Sequence, residues 1–217
     1  MKSGIMKCSC ERCELKTLFF SHVSLYELND ICEIKEERSF SKGEIIIKEG
    51  EQIKEFLYMK EGLVKLYKIG SDGKEQIISF SKPFDFVSLL SVFSSDKYKY
   101  SVTAVENSVV CILDLEVVKT HAKQNAMFTM DLMKRVSEAT DKIILENLEI
   151  KRKNLKGRVA HVLLYFANYV YNNNEFELPI SRREIAEHIG MTTENVIRTL
   201  SEFRKDKIIK IFGKDIL

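Results

Sequence analysis

The sequence predicts an α+β protein in which a strand-rich roll leads through a long helix into a C-terminal winged helix-turn-helix. Three observations predict it. Short runs of β-branched and aromatic residues, jointed by glycine, fill residues 34–113. Apolar residues then recur at helical period from Met127 to about Lys153. Near the end, two short capped segments flank Gly190. The expected divisions are an arm and helix over 1–30, the roll over 31–115, helices over 116–153 and the helix-turn-helix over 154–217.

In the roll, strands are expected at Glu44–Lys48, Glu55–Lys60, Leu63–Ile69, Glu75–Ser79 and Ser101–Leu113. Ser71-Asp72-Gly73 between two β-branched runs is a hairpin signal. Many short strands at this spacing make a sandwich or a small barrel. A cupin-like metal enzyme needs histidines inside such a barrel, yet His22, His121, His161 and His188 all lie outside residues 40–113. Neither a phosphate-binding glycine loop nor a nucleophile elbow appears. The roll is therefore expected to sense or to support, and the chain to be no enzyme. The rival from another class is a small-molecule-binding β-barrel protein, or a cupin-like enzyme, whose C-terminal domain serves only in assembly.

The long helix carries Leu132, Val136, Ala139, Ile143 and Ile150 at steps of four, three, four and seven, an a/d seam. A strict heptad would add Glu146; a step of four from Ile143 brings Asn147 inward instead, where asparagine can fix register between two strands. These six positions are expected to pair two copies of the chain. The bland alternative is an amphipathic helix packed on its own roll.

Charge is uneven. From Lys151 onward there are 13 Lys/Arg against 8 Asp/Glu, while the whole chain carries only +2. A basic C-terminal segment seeks anions, although a solvated basic surface looks the same. No apolar run reaches the roughly 18 residues of a membrane span, and residues 7–16 are polar rather than a signal region. The expected location is cytoplasmic, where five cysteines are no disulfide framework.

After an apolar helical stretch, Val159–Tyr171, comes Ser181 with Glu184 three residues on, a capping box. Ile185, Ala186 and Ile189 give that helix an inward face, and Gly190 ends it. Thr192 caps a second helix, Thr193–Lys205, whose inward face is Val196, Leu200 and Phe203. Two short helices around one glycine are the helix-turn-helix pattern. Ile208–Ile211 and Lys214–Leu217, joined through Gly213, are expected to form the wing. Thr193, Glu194, Ile197 and Arg198 project from the first two turns of the second helix, where base edges are read. Arginine binds guanine O6 and N7 with both arms, and glutamate accepts from cytosine N4. Glu194 and Arg198 can equally be a surface pair at i,i+4. Ser181, Arg182, Arg183 and Thr192 are the candidate phosphate contacts on double-stranded DNA.

In this order and spacing, Lys42-Gly43-Glu44, Glu49-Gly50, Glu61-Gly62-Leu63-Val64-Lys65-Leu66-Tyr67, Asp72-Gly73-Lys74-Glu75 and Ser181-Arg182-Arg183-Glu184-Ile185-Ala186 are a specific set. Over nearly its whole length the chain resembles the CRP/FNR family, that of the cyclic-AMP receptor protein and the fumarate-nitrate reduction regulator. The resemblance implies a cyclic-nucleotide-binding-like roll and a homodimer on a near-palindromic promoter site, with RNA polymerase as a partner. The reading helix is similar to the FNR branch, which favours glutamate, two variable residues, serine and arginine. Glu194-Asn195-Val196-Ile197-Arg198 keeps the ends, implying a TTGA-like half-site, but puts Ile197 in the place of serine. Ile197 donates no hydrogen bond and offers a surface to a thymine methyl.

The resemblance also bears on the signal. The cyclic-nucleotide branch uses a Gly-Glu-Leu run and an Arg-Ser pair; here Asp85-Phe86-Val87-Ser88-Leu89-Leu90 and Tyr98-Lys99 stand there. The glutamate and arginine are missing, so cyclic AMP is not the expected ligand. The oxygen-sensing branch holds a cluster with three arm cysteines and one from the roll. Cys10 and Cys13 match its Cys-x-x-Cys and Cys111 the roll cysteine; Phe19 stands in the third arm position, leaving Cys8 as a substitute. Four thiolates hold an iron–sulfur cluster or a zinc ion. The third outcome is no metal, with Cys111 a small buried apolar residue. The implied input is oxygen, redox state or nitric oxide.

Overall fold

The structure, a computed structural model, describes residues 35–87, 89–212 and 215–216. Cys8, Cys10, Cys13, Ser88, Gly213, Lys214 and Leu217 lie outside the described residues. The chain divides into two compact units. Of the described residues, one contains those up to Leu66 with Phe80–Lys142; the other contains Tyr67–Ser79 with those from Ile143 onward.

The roll is built from β1 (Glu36–Phe40), β2 (Ile45–Ile47), β3 (Glu55–Glu61), β4 (Val64–Ile69), β5 (Glu75–Ser81), β6 (Ser101–Ala104) and β7 (Ser108–Asp114), with a one-turn helix α1 (Leu89–Val92). One sheet has the order β1-β7-β3, the other β2-β6-β4-β5. The run expected at Ser101–Leu113 is two strands, interrupted at Val105-Glu106-Asn107. At the β3–β4 turn Gly62 has φ +84°, and a side chain there would strike the Asn107 carbonyl and Ser108. Only glycine fits both the conformation and the approach.

Helix α2 (Leu115–Gln124) starts at Asp114, whose carboxylate accepts from the N–H groups of Glu116 and Val117. It leads into α3 (Ala126–Arg152). The core of this unit gathers Phe56, Tyr58, Leu89, Val92, Cys111, Leu113, Leu115, Val118, Phe128 and Leu132, with Val136 and Ala139 packed against it.

That packing bears on the expected seam of Leu132, Val136, Ala139, Ile143, Asn147 and Ile150. Leu132, Val136 and Ala139 already lie against the roll of their own chain, because their side of α3 is the side that buries Phe128. Further along the same helix Ile143 is half-buried, Ile150 is buried, and the Asn147 amide donates to the Ile143 carbonyl one turn back. Other apolar residues of α3 are open: Met127, Met130, Met133, Ile144, Leu145 and Leu148 are 55%, 60%, 59%, 51%, 61% and 46% exposed.

In the second unit, α4 (Leu155–Tyr165) begins at Asn154, whose side chain accepts from Gly157 N–H, and runs on as a π-helical segment, Phe166–Tyr171. β8 (Phe176–Glu177) follows, then α5 (Arg182–Ile189), α6 (Thr193–Lys205), β9 (Ile211–Phe212) and β10 (Asp215–Ile216). The last two pair antiparallel, and β10 pairs also with β8. The wing thus has two strands of two residues and a third from before the helices, which the local sequence pattern did not signal.

Candidate nucleic-acid interface

The local chemistry of α5 and α6 fixes the reading surface. Ser181 Oγ accepts from Glu184 N–H at 3.2 Å, and Glu184 Oε2 accepts from Ser181 N–H at 2.8 Å, so the capping box is complete. Ile185, Ala186 and Ile189 are buried. Gly190 takes φ +66° at the C-cap, and its N–H donates to the Ala186 carbonyl. Thr192 then caps α6, its hydroxyl accepting from Asn195 N–H at 3.3 Å. Val196, Thr199, Leu200 and Phe203 fill the inward face. With that face buried, Glu194, Ile197 and Arg198 must point outward, and all three are exposed; Thr193 is half-buried.

Glu194 and Arg198 are engaged separately rather than with each other. The Glu194 carboxylate folds back onto the start of the helix. Its own backbone N–H, then the Thr192 hydroxyl, donate to it and hold it below the usual glutamate range. Arg198 Nη2 donates instead to Asn195 Oδ1 at 2.9 Å. Among the candidate phosphate contacts, Ser181, Arg183 and Thr192 are exposed and Arg182 is half-buried. Arg183 is paired with Glu187, Nε to Oε1 at 2.9 Å, which raises its pKa further.

Two functional supports were missed from sequence. Arg158 of α4 donates through Nε to the Lys153 carbonyl at 3.1 Å, through Nη2 to Lys151 at 3.4 Å and through Nη1 to Ile189 at 3.2 Å. One guanidinium thereby serves carbonyls at the C-terminal ends of α3 and α5, where positive charge is favoured. His188 is buried in α5, its Nδ1 3.2 Å from the Ile77 carbonyl and its Nε2 3.7 Å from Glu146 Oε1. Sequence distance hides both: Ile77 lies 111 residues from His188, and Arg158 reads as one more solvated charge.

Residues 37–125 match the family model described as a cyclic nucleotide-binding domain, and residues 157–217 the Crp-like helix-turn-helix domain. The chain belongs to the CRP/FNR family. It is a CRP/FNR-type transcription regulator with a DNA-binding helix-turn-helix. It is 27% identical to Electron transport regulator A of Shewanella oneidensis, over 96% of this chain and 85% of that protein. It is 25% identical to the Fumarate and nitrate reduction regulatory protein of Vibrio cholerae, over 100% of this chain and 88% of the relative. The solved structure of FixK2 from Bradyrhizobium japonicum superposes with a TM-score of 0.76 at 26% identity, covering 85% of this chain and 92% of that one.

In this CRP/FNR regulator Tyr98, of the expected Tyr98-Lys99 stretch, is buried and donates to the Glu55 carbonyl at 3.3 Å. Burial, with Glu55 and Glu51 nearby, pushes its hydroxyl up to about 12. Lys97 and Lys99 are exposed, and Lys99 Nζ donates to Ser94 Oγ. The roll cysteine of the expected metal set, Cys111, is fully buried on β7, with Sγ 3.8 Å from Glu37 Oε1. Glu37 is itself buried, bonded to Lys60 Nζ at 2.8 Å and 3.9 Å from Lys35 Nζ. The sulfur therefore faces a buried carboxylate that is paired with two lysines. The other thiols of the expected set, Cys8, Cys10 and Cys13, lie outside the described residues. Among the described residues no three His, Cys, Asp or Glu side chains form a metal-holding group.

Proposed function

We propose that this regulator binds double-stranded promoter DNA as a homodimer in the cytoplasm, reading a near-palindromic TTGA-like site and acting on RNA polymerase. The observation that carries the reading is the outward face of α6. Glu194, Ile197 and Arg198 are exposed on its first two turns while Val196, Thr199 and Leu200 anchor the opposite face. Ser181, Arg182, Arg183 and Thr192 are the phosphate contacts of the same surface, and Thr193 borders it. Each TTGA half would meet one copy of α6, with Arg198 on its guanine and Ile197 against a thymine methyl.

Pairing runs through α3. The exposed residues Met130, Met133, Ile144 and Leu148, with Ser137 between, follow steps of three, four, seven and four, a heptad stripe. The signal we infer is oxygen, redox state or nitric oxide. The charge partners of a cyclic nucleotide are missing, and Cys8, Cys10 and Cys13 are the thiols that would take such an input. No step is assigned to a cluster, because Cys111 is turned into the core beside Glu37.

Titration of the full-length protein onto duplexes with and without paired TTGA half-sites tests the reading. Arg198→Ala is expected to cost about 1–3 kcal/mol at the cognate base pair and to spare binding to unrelated DNA. A variant that binds every sequence as the parent does would remove α6 from the role of reader.

A further inference from the structure

Arginine reads guanine well only when its planar fork is held edge-on to the base, and a free arginine side chain surrenders rotamer entropy to get there. Something on α6 should therefore hold Arg198 in advance. Glu194, one turn earlier, is the obvious partner, but its carboxylate is spent on its own backbone N–H and on Thr192. The atom that does touch the guanidinium is Asn195 Oδ1, 2.9 Å from Arg198 Nη2.

We propose that Asn195 is a positioning residue for sequence reading, its side-chain carbonyl fixing Arg198 for the guanine of the half-site. The proposal rests on Arg198 being a base reader. Asn195 is well placed for the task. Its N–H is tied to Thr192 Oγ1 and its neighbour Val196 is completely buried, so its Cα sits on a capped and anchored first turn. One N–H of Nη2 is used, and the guanidinium keeps four others, enough for the two bonds to O6 and N7. The acceptor is also neutral. A carboxylate at this position would orient the arginine equally well, but would cancel its charge and repel the phosphates that surround the groove. An amide orients without that cost, which matters more here because the neighbouring serine of the related FNR pattern is Ile197 and supplies no hydrogen bond.

The test uses full-length parent, Asn195→Ala, Asn195→Asp, Arg198→Ala and the Asn195→Ala/Arg198→Ala double variant. Each is titrated onto a TTGA-bearing palindromic duplex, a set of duplexes with each base pair replaced in turn, and one unrelated duplex. Asn195→Ala is expected to lower the preference for guanine at the Arg198 base pair about 2- to 10-fold. Its affinity for the unrelated duplex and its melting temperature should stay at parental values. Asn195→Asp should retain the preference while binding every duplex more weakly at low salt. In the Arg198→Ala background the asparagine change should do nothing further at that base pair. Parental preference in Asn195→Ala, or a loss confined to another base pair, overturns the proposal; the second result would make Asn195 a reader in its own right. If Arg198→Ala itself leaves every preference intact, the reading of α6 fails first, and the two failures are told apart.

Discussion

At the scale of single residues, charge next to sulfur decides what Cys111 can do. The sequence showed a cysteine in an apolar strand and three more in a polar arm, which is compatible with a shared ligand set. It did not show that β1 pairs with β7 so that Glu37 stands opposite Cys111. With Sγ 3.8 Å from that carboxylate and no exposure to solvent, the thiol is a core residue with a hydrogen bond to donate. Protein purified without oxygen should therefore have the same iron, sulfide and zinc content, and the same visible spectrum, in Cys111→Ala as in the parent. Loss of metal or colour in that variant would put Cys111 back among the ligands. Removing one sulfur from a packed core leaves a small cavity, so a modest loss of stability accompanies the change whichever way the metal result falls.

At the scale of elements, legibility follows how local the signal is. The helix-turn-helix was readable because its determinants, Ser181, Glu184, Gly190 and Thr192, act within four residues of themselves. Ser181→Ala should accordingly destabilise the C-terminal unit by about 1 kcal/mol, since Glu184 N–H loses its partner. Urea or thermal unfolding followed by far-ultraviolet circular dichroism measures this; a shift near zero would mean that Glu184 alone holds the helix start. The strands were found with slightly wrong ends, and the break between β6 and β7 was missed because Val105 continues the β-branched pattern through it. β8 was missed since two residues carry no period. The pairing face of α3 is hard to read for a different reason. Both of its sides are apolar, with Leu132, Val136 and Ala139 on one and Met130, Met133, Ile144 and Leu148 on the other. Periodicity finds a stripe, but only the neighbour across it says whether the stripe is core or interface.

At the scale of the whole molecule, that distinction becomes a statement about affinity. A palindromic site holds two half-sites, and linking two reading helices makes the second contact intramolecular, a gain of about 10²- to 10⁴-fold over a single one. In the proposed dimer the link is the pairing of α3, so damage to its open face should uncouple the halves without touching α6. Ile144→Glu puts a charge into the stripe at a position 51% exposed in the single chain, where the protomer's own fold has little to lose. Leu132→Ala does the reverse, deleting a buried side chain of the roll core at a cost of about 2–5 kcal/mol while leaving the stripe intact. Sedimentation equilibrium should find Ile144→Glu monomeric with a parental melting temperature, and Leu132→Ala dimeric with a lowered one. On DNA, Ile144→Glu should bind a paired-site duplex hardly better than a half-site duplex, whereas the parent and Leu132→Ala separate the two clearly. A dimeric Ile144→Glu, or a folded but monomeric Leu132→Ala, would return the interface to the face of α3 that now packs on the roll.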